Sequence, residues 1–340
     1  FFHHKLNFTT DSANVSRKDG AHAVMALSLT ARASGANTTR ANAATVNRRS
    51  AILTTTTVLT ATLKAKPARG RAKLPPPGKT DVKSVLIVGA TGGVGREVVR
   101  CVLDSKEKGQ MKLVRAAARN FDDDYKAMQG NVQLVPLDVV TSTDDEIAKA
   151  VDGVDAVVCA VGVHVTTSTK MSRTRMDTAH LVDNLGVSRL VDAAIVNGNV
   201  KHFVLVSALL TNAPALGREN NRSYVTLELL GNVLSEKHEA EEHLRNACEG
   251  SQTTMQYTII RPGALAGGVS DALFRDDAAP LGELVGPADT FFEISASASV
   301  RRSRVAELCV ASLADVRARN RTVEFTGSRM ADATITDWFV

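Results

Sequence analysis

Beyond Thr80 the chain alternates between two hydrophobic periods. Short runs of consecutive apolar residues, such as Val85-Leu-Ile-Val88 and Ala156-Val-Val-Cys159, are separated by longer segments whose apolar positions recur three and four residues apart. An unbroken apolar run suits a strand covered on both faces, whereas the three-four spacing suits a helix that buries one face. The predicted strands are 84–88, 111–117, 132–137, 155–160, 201–207, 256–261 and 322–325. The predicted helices are 93–104, 144–151, 178–197, 227–247, the longest, and 301–313. Such alternation points to the α/β class with a doubly wound parallel sheet, because parallel strands need crossovers and helices supply them. A single domain over 80–328 is expected, with a tail at 329–340. Residues 263–292, rich in Gly, Ala and Asp and weakly periodic, read as a small C-terminal segment that covers a substrate.

Charge divides the chain at the same boundary. Residues 1–79 carry 13 Lys or Arg against 2 Asp, and 80–340 carry 28 basic against 34 acidic residues, so the overall excess of +5 belongs to the N-terminal region. An acidic folded part with few aromatics argues against a nucleic-acid partner. From Met25 to Lys79 there is no Asp or Glu, and Ala, Thr, Ser and Arg dominate, which is the composition of an organellar transit peptide. Residues 1–24 read as a leader ahead of Met25, and Pro75-Pro-Pro-Gly78 closes the region before the first strand. Arg48-Arg49 ahead of 51–63 leaves a twin-arginine export signal as a second reading, although six threonines make that stretch a poor apolar core. No run is long and apolar enough to cross a bilayer, and peripheral membrane association stays open. The four cysteines, Cys101, Cys159, Cys248 and Cys309, have neither metal-ligand nor disulfide-framework spacing, so no metal is expected.

The candidate chemistry begins at Gly89-x-x-Gly92-x-x-Gly95, which lies between the first strand and the first helix. There Gly89 permits a tight turn, Gly92 or Gly93 lets backbone approach a pyrophosphate, and Gly95 lets helix and strand pack closely. The helix N-terminus adds free N–H groups, so Gly89, Thr91, Gly92, Gly93, Val94, Gly95 and Arg96 are the candidate phosphate contacts. A nucleoside-triphosphate loop would need Gly-Lys-Ser/Thr, where this chain has Gly95-Arg96-Glu97. The alternative is that the glycines only serve a turn. At the end of the second strand no carboxylate occurs before Asp122, whereas Arg119, with Arg96 as a candidate second contact, stands where a 2′-phosphate would lie. NADP(H) is therefore expected in preference to NAD(H), against the bland reading of solvated surface arginines.

With "LVPLDV", "VDAVVCAVG", "VDNLGVSRLVDAA", "KHFVLVSALLTN", "LSEKHEAEEHLR" and "YTIIRPGALAGG" following in that order, residues 83–327 resemble the atypical short-chain dehydrogenase/reductases of the NmrA-like type, especially plastid members. The resemblance implies a Rossmann fold, with Asp138 and Val139 at the adenine and Ala160, Val161 and Gly162 lining the cofactor. It places Ser207 at the mouth of the active site and Arg261, Pro262 and Gly263 near the nicotinamide.

Carbonyl reduction by the usual route pairs a tyrosine with a lysine four residues later, both on one helix face, so that the ammonium lowers the phenol pKa. Lys237 matches the lysine and Ser207 the serine, but Val233 occupies the tyrosine position and cannot transfer a proton. Tyr224 is the one tyrosine placed to swing toward a nicotinamide, and His164 the one histidine placed to replace it, each against ordinary packing. Lys237 could hydrogen-bond the nicotinamide ribose, or merely pair with Glu241 on its own helix. Arg301, Arg302 and Arg304 read as solvated charges at a helix entrance, with an anionic partner left open. Two readings follow: a plastid NAD(P)H-dependent oxidoreductase acting on a small organic substrate, or an NADP(H)-binding sensor or assembly factor without turnover.

Overall fold

The computed structural model describes residues 78–107, 111–127, 130–163, 178–250, 253–266, 282–291, 299–328 and 337–339. Its strands are β1 (Ser84–Val88), β2 (Leu113–Ala118), β3 (Gln133–Pro136), β4 (Ala156–Cys159), β5 (His202–Val206), β6 (Gln256–Pro262), β7 (Gly282–Pro287) and β8 (Arg321–Ser328). They form one sheet in the order β3-β2-β1-β4-β5-β6-β8-β7, parallel throughout except for β7 against β8. The helices are α1 (Gly93–Glu107), α2 (Asp123–Ala127), α3 (Asp144–Val151), α4 (Val187–Asn197), α5 (Arg222–Leu229), α6 (Val233–Glu249) and α7 (Arg302–Ala314). A π-helical turn, His180–Gly186, leads into α4.

The continuous apolar strands are explained by a helix layer on each face. Along β1, Val85 and Ile87 pack on the side of α1 and α7, while Leu86 and Val88 pack on the side of α3, α4 and α6. Each is essentially fully buried, and full burial of such a side chain stabilises by about 1.5–3 kcal/mol. The strand order reverses between β1 and β4. Doubly wound sheets bind ligands in the crevice at the carboxyl ends of the strands where the order reverses in this way.

Three elements depart from the pattern-based expectation. The helix expected over 227–247 is two helices: α5 stops at Leu229, and Gly231 (φ +130°) and Asn232 (φ +56°) turn the chain before α6 begins. Glu228 stitches the break, since its Oε1 accepts from the Leu234 and Ser235 N–H groups at 2.9 and 3.0 Å. The apolar period runs on across this corner, so periodicity could not show it. Within the segment expected to cover a substrate, β7 adds an antiparallel edge strand to the sheet. Finally, the expected tail beyond 328 returns to the domain. Trp338 meets Phe325 edge-to-face at 5.3 Å, and Phe339 is buried in the α1–α7 core. Among the described residues no helix is long and apolar enough to cross a membrane. The leader and transit-like region of 1–77, His164 and much of 263–292 lie outside the described residues.

Candidate functional site

The glycines following β1 make a turn that side chains would block. Gly89 has φ +80°, and a Cβ there would lie 2.7 Å from the Ala160 carbonyl oxygen; one on Gly95 would lie 2.1 Å from the Gly89 carbonyl oxygen. The turn is closed by the Gly92 N–H donating to Gly89 O at 2.9 Å, and helix α1 opens with Arg96 N donating to Gly92 O at 2.9 Å. The N–H groups of Gly93, Val94 and Gly95 therefore have no acceptor within the helix. Gly92 and Gly93 are exposed. A cradle of free N–H groups, kept open by absent side chains at the carboxyl end of β1, fits a dinucleotide pyrophosphate.

Tyr125 braces this turn from beneath. Its hydroxyl donates to the Ala90 carbonyl at 2.5 Å, and burial pushes its pKa up to about 12, so it stays a donor. Arg96 lies 5.1 Å above the Tyr125 ring and donates to Asp122 at 2.6 Å. Asp122, the first carboxylate after β2, is thereby engaged, and so is Arg96. By contrast, Arg119 is exposed at the end of β2 and forms no hydrogen bond or ion pair among the described residues.

One strand further out than β2, Asp138 sits just beyond β3 in a tight turn, accepting from the Val140 N–H at 3.0 Å. Arg189 of α4 fastens that loop through the Val139 and Ser142 carbonyls (2.9 and 2.6 Å) and Asp144 (2.7 Å). Beyond β4, Gly162 faces a charged pair. A Cβ on Gly162 would lie 3.3 Å from Asp183 Oδ1 and 3.4 Å from Lys237 Nζ, which are themselves 2.8 Å apart. Asp183 is fully buried, and its Oδ2 accepts from the Val163 N–H at 3.2 Å. Lys237 thus does not pair with Glu241. Its ammonium is held beside the Ala160–Gly162 strand end by a residue of the π-helical turn.

Glu241 has other partners, and they correct two expectations. Ser207 is only 5% exposed rather than at a mouth, and its hydroxyl donates to Glu241 Oε1 at 2.5 Å. Arg261, expected near the nicotinamide, is 2% exposed and turns inward: its Nη2 donates to Glu241 Oε2 at 2.6 Å and its Nη1 to Asp289 at 3.0 Å. Thr211 (3.1 Å) and Arg245 (2.9 Å) complete the shell around Glu241. Burial by itself pushes the Glu241 carboxyl up, but the guanidiniums of Arg261 and Arg245 and the Ser207 hydroxyl more than reverse this and hold it below the usual range. A buried carboxylate needs such donors, so Ser207 and Arg261 are committed to it. Pro262 and Gly263 continue β6, and the Gly263 N–H donates to Phe325 O at 2.8 Å.

Tyr224 is buried against Leu209, Leu210 and Phe291, with its hydroxyl 3.2 Å from Ser235 Oγ. Val233, at the expected tyrosine position, is buried as well. From the sequence Glu241 is read only as a pairing partner of Lys237, and neither Asp183 nor Arg189 is singled out. Asp183 and Arg189 both lie within the quoted "VDNLGVSRLVDAA", whose i, i+6 spacing carries no sign of which strand ends they serve. Among the described residues no group of three or more His, Cys, Asp and Glu could hold a metal.

Comparison with known proteins identifies the family and the fold. Residues 89–316 match the NAD(P)H-binding family model. An uncharacterized chloroplastic protein of Arabidopsis thaliana is 34% identical over 248 residues, 71% of this chain and 76% of that protein. A solved protein of Bacteroides thetaiotaomicron superposes with a TM-score of 0.51 at 14% identity, covering 73% of this chain and 99% of its own. A short-chain dehydrogenase/reductase of Veillonella parvula, solved with NADP, superposes at 0.49 with 13% identity over 76% of this chain and 97% of its own. With the glycine turn, the strand order and two thirds of the sequence in agreement, the chain belongs to the NAD(P)H-binding family and has its Rossmann fold.

Proposed function

We propose that the chain is an NADP(H)-dependent oxidoreductase of the chloroplast, acting on a small organic substrate that needs no tyrosine proton donor. The observation that carries the reading is the convergence at the β1/β4 crevice of an open glycine cradle and the Lys237–Asp183 pair beside Gly162. The Gly93–Gly95 N–H groups would hold the pyrophosphate, Asp138 the adenine amino group, and Arg119 the 2′-phosphate. Lys237, oriented by buried Asp183, would donate to the nicotinamide ribose hydroxyls. A bound nicotinamide dinucleotide supplies hydride from C4. Quinone- or enone-like acceptors suit such a site, because their reduced forms can take a proton from water.

One observation favours the second reading, binding without turnover. Val233 occupies the tyrosine position, and the Ser207 hydroxyl is bound to Glu241. Calorimetry tests the cofactor assignment. NADPH should bind at least about tenfold more tightly than NADH, as a charge-assisted phosphate contact implies, and Arg119→Ala should erase the difference; equal wild-type affinities refute it. Absorbance at the NADPH band with a panel of quinones and enones separates the readings: consumption supports the oxidoreductase, and binding without consumption supports the sensor.

A further inference from the structure

Resting on the dinucleotide reading and deepening it, we propose that Arg302 is a pyrophosphate-binding residue, reaching over the glycine turn from the far end of the chain. Gly93 is the first residue of α1, and Arg302 the first of α7. The two helices pack side by side through Val94, Val98 and Val102 on one and Val305, Ala306 and Cys309 on the other. Their first residues meet as a result. A Cβ built on Gly93 would lie 2.5 Å from Arg302 Nε, 2.7 Å from its Cδ and 3.5 Å from its Cζ. The guanidinium therefore covers the exposed backbone at the place where the turn presents its free N–H groups. A side chain at position 93 would push the guanidinium away from this place.

The partners of Arg302 set it apart from most arginines around it. Arg96, Arg189, Arg245, Arg261, Arg304 and Arg317 each hold at least one carboxylate. Among the described residues Arg302 holds none; its Nη1 donates to the neutral Ala266 carbonyl. A guanidinium has five N–H donors in a planar fork that matches the oxygens of a phosphate. Here the fork is half-buried, charged and without a counter-ion, against a turn shaped for an oxyanion. The Ala266 bond gives it a fixed resting direction, since the 264–266 segment is itself pinned by Ala266 N to Val300 O at 2.9 Å and Val300 N to Ala264 O at 2.7 Å.

Arg302 and Arg119 then have separable tasks. Arg119 stands at the end of β2, on the adenosine side, and distinguishes NADPH from NADH. Arg302 touches the turn itself and serves the pyrophosphate, which both dinucleotides share.

The test is calorimetric titration of the full chain and its variants with NADPH, NADH and ADP-ribose, the last retaining the pyrophosphate without nicotinamide or 2′-phosphate. Arg302→Ala should weaken all three by about tenfold or more, the loss of one charge-assisted contact. Arg302→Gln, which keeps a donor for Ala266 but not the charge, should weaken them alike, and Arg302→Lys less. The dependence of log Kd on log salt should flatten in the Ala and Gln variants. Unchanged affinity for all three ligands, tighter binding, or weakening confined to NADPH would overturn the assignment while leaving the dinucleotide reading standing. A wild-type chain that binds none of the three would overturn both. Should Arg302→Ala fold poorly, a Gln variant with wild-type melting and wild-type affinities would equally reject it.

Discussion

Glu241 offers the sharpest quantitative test of how the domain is held together around its site. Its carboxylate is fully buried and receives hydrogen bonds from Ser207, Thr211, Arg245 and Arg261, reaching four side chains on α6, β6 and the loop after β5. Glu241→Gln preserves size but removes the charge, and the new amide N–H₂ must face guanidinium donors. Removing one partner of a buried pair costs about 3–5 kcal/mol. Asp289 at 3.0 Å and Glu324 at 3.5 Å remain close to Arg261, which places the loss toward the lower figure. For a domain of this size each kcal/mol moves the melting temperature by about 2–4 °C, so Glu241→Gln should lower it by about 6–12 °C at pH 7. The pH dependence has a definite sign. Because the folded-state pKa is held below that of an ordinary glutamate, about 4.3, the carboxylate's stabilisation is fully present above that value. It is lost as pH falls through the folded-state pKa. Thermal unfolding by circular dichroism should therefore show a wild-type-to-variant gap that is constant above about pH 5 and closes on acidification. The double variant Glu241→Gln/Arg261→Met should lose less than the sum of the single variants, since the two groups share one interaction. A melting temperature within about 2 °C of wild type at pH 7, or a gap that widens in acid, would refute the reasoning.

Two other outcomes follow from burial and close approach. Gly95→Ala places a methyl 2.1 Å from the Gly89 carbonyl oxygen, and backbone on both sides cannot yield, so α1 must move off β1. Calorimetry should show dinucleotide binding lost, with an overpacking cost of about 1–3 kcal/mol in stability; wild-type affinity would contradict the close packing. Burial pushes the Cys159 thiol up to about 11 and raises Cys309 as well. Neither should be alkylated by iodoacetamide at pH 8 in the folded protein, and both should react after denaturation; mass spectrometry showing modification of native Cys159 would disprove its burial.

Much of the architecture was legible in local pattern, because a strand buried on both faces must be apolar throughout and a covering helix must be apolar every third or fourth residue. β1, β4 and β5 were visible for that reason. The glycine turn was visible because Gly89 must adopt a φ of +80° and Gly95 lies against the Gly89 carbonyl a few residues back, although the Ala160 carbonyl that also presses on Gly89 comes from across the sheet. The α5–α6 corner escaped notice because Gly231 and Asn232 interrupt the helix without interrupting its apolar period. β7 was missed because an edge strand only partly covered, with Leu284 and Val285 its packed apolar residues, needs no continuous apolar run. The candidate site divides in the same way. The cradle for the pyrophosphate is a local property, whereas the tasks of Ser207, Arg261, Lys237 and Arg302 depend on which partner each meets across the sheet. Glu241 claims the first two, 34 and 20 residues away in the chain. Asp183 claims Lys237, and α1–α7 packing carries Arg302 to Gly93 across more than half the chain. A charged side chain's spacing along the chain says that it must find a partner; only the packed tertiary structure decides which one, because desolvation makes that choice after the helices have docked.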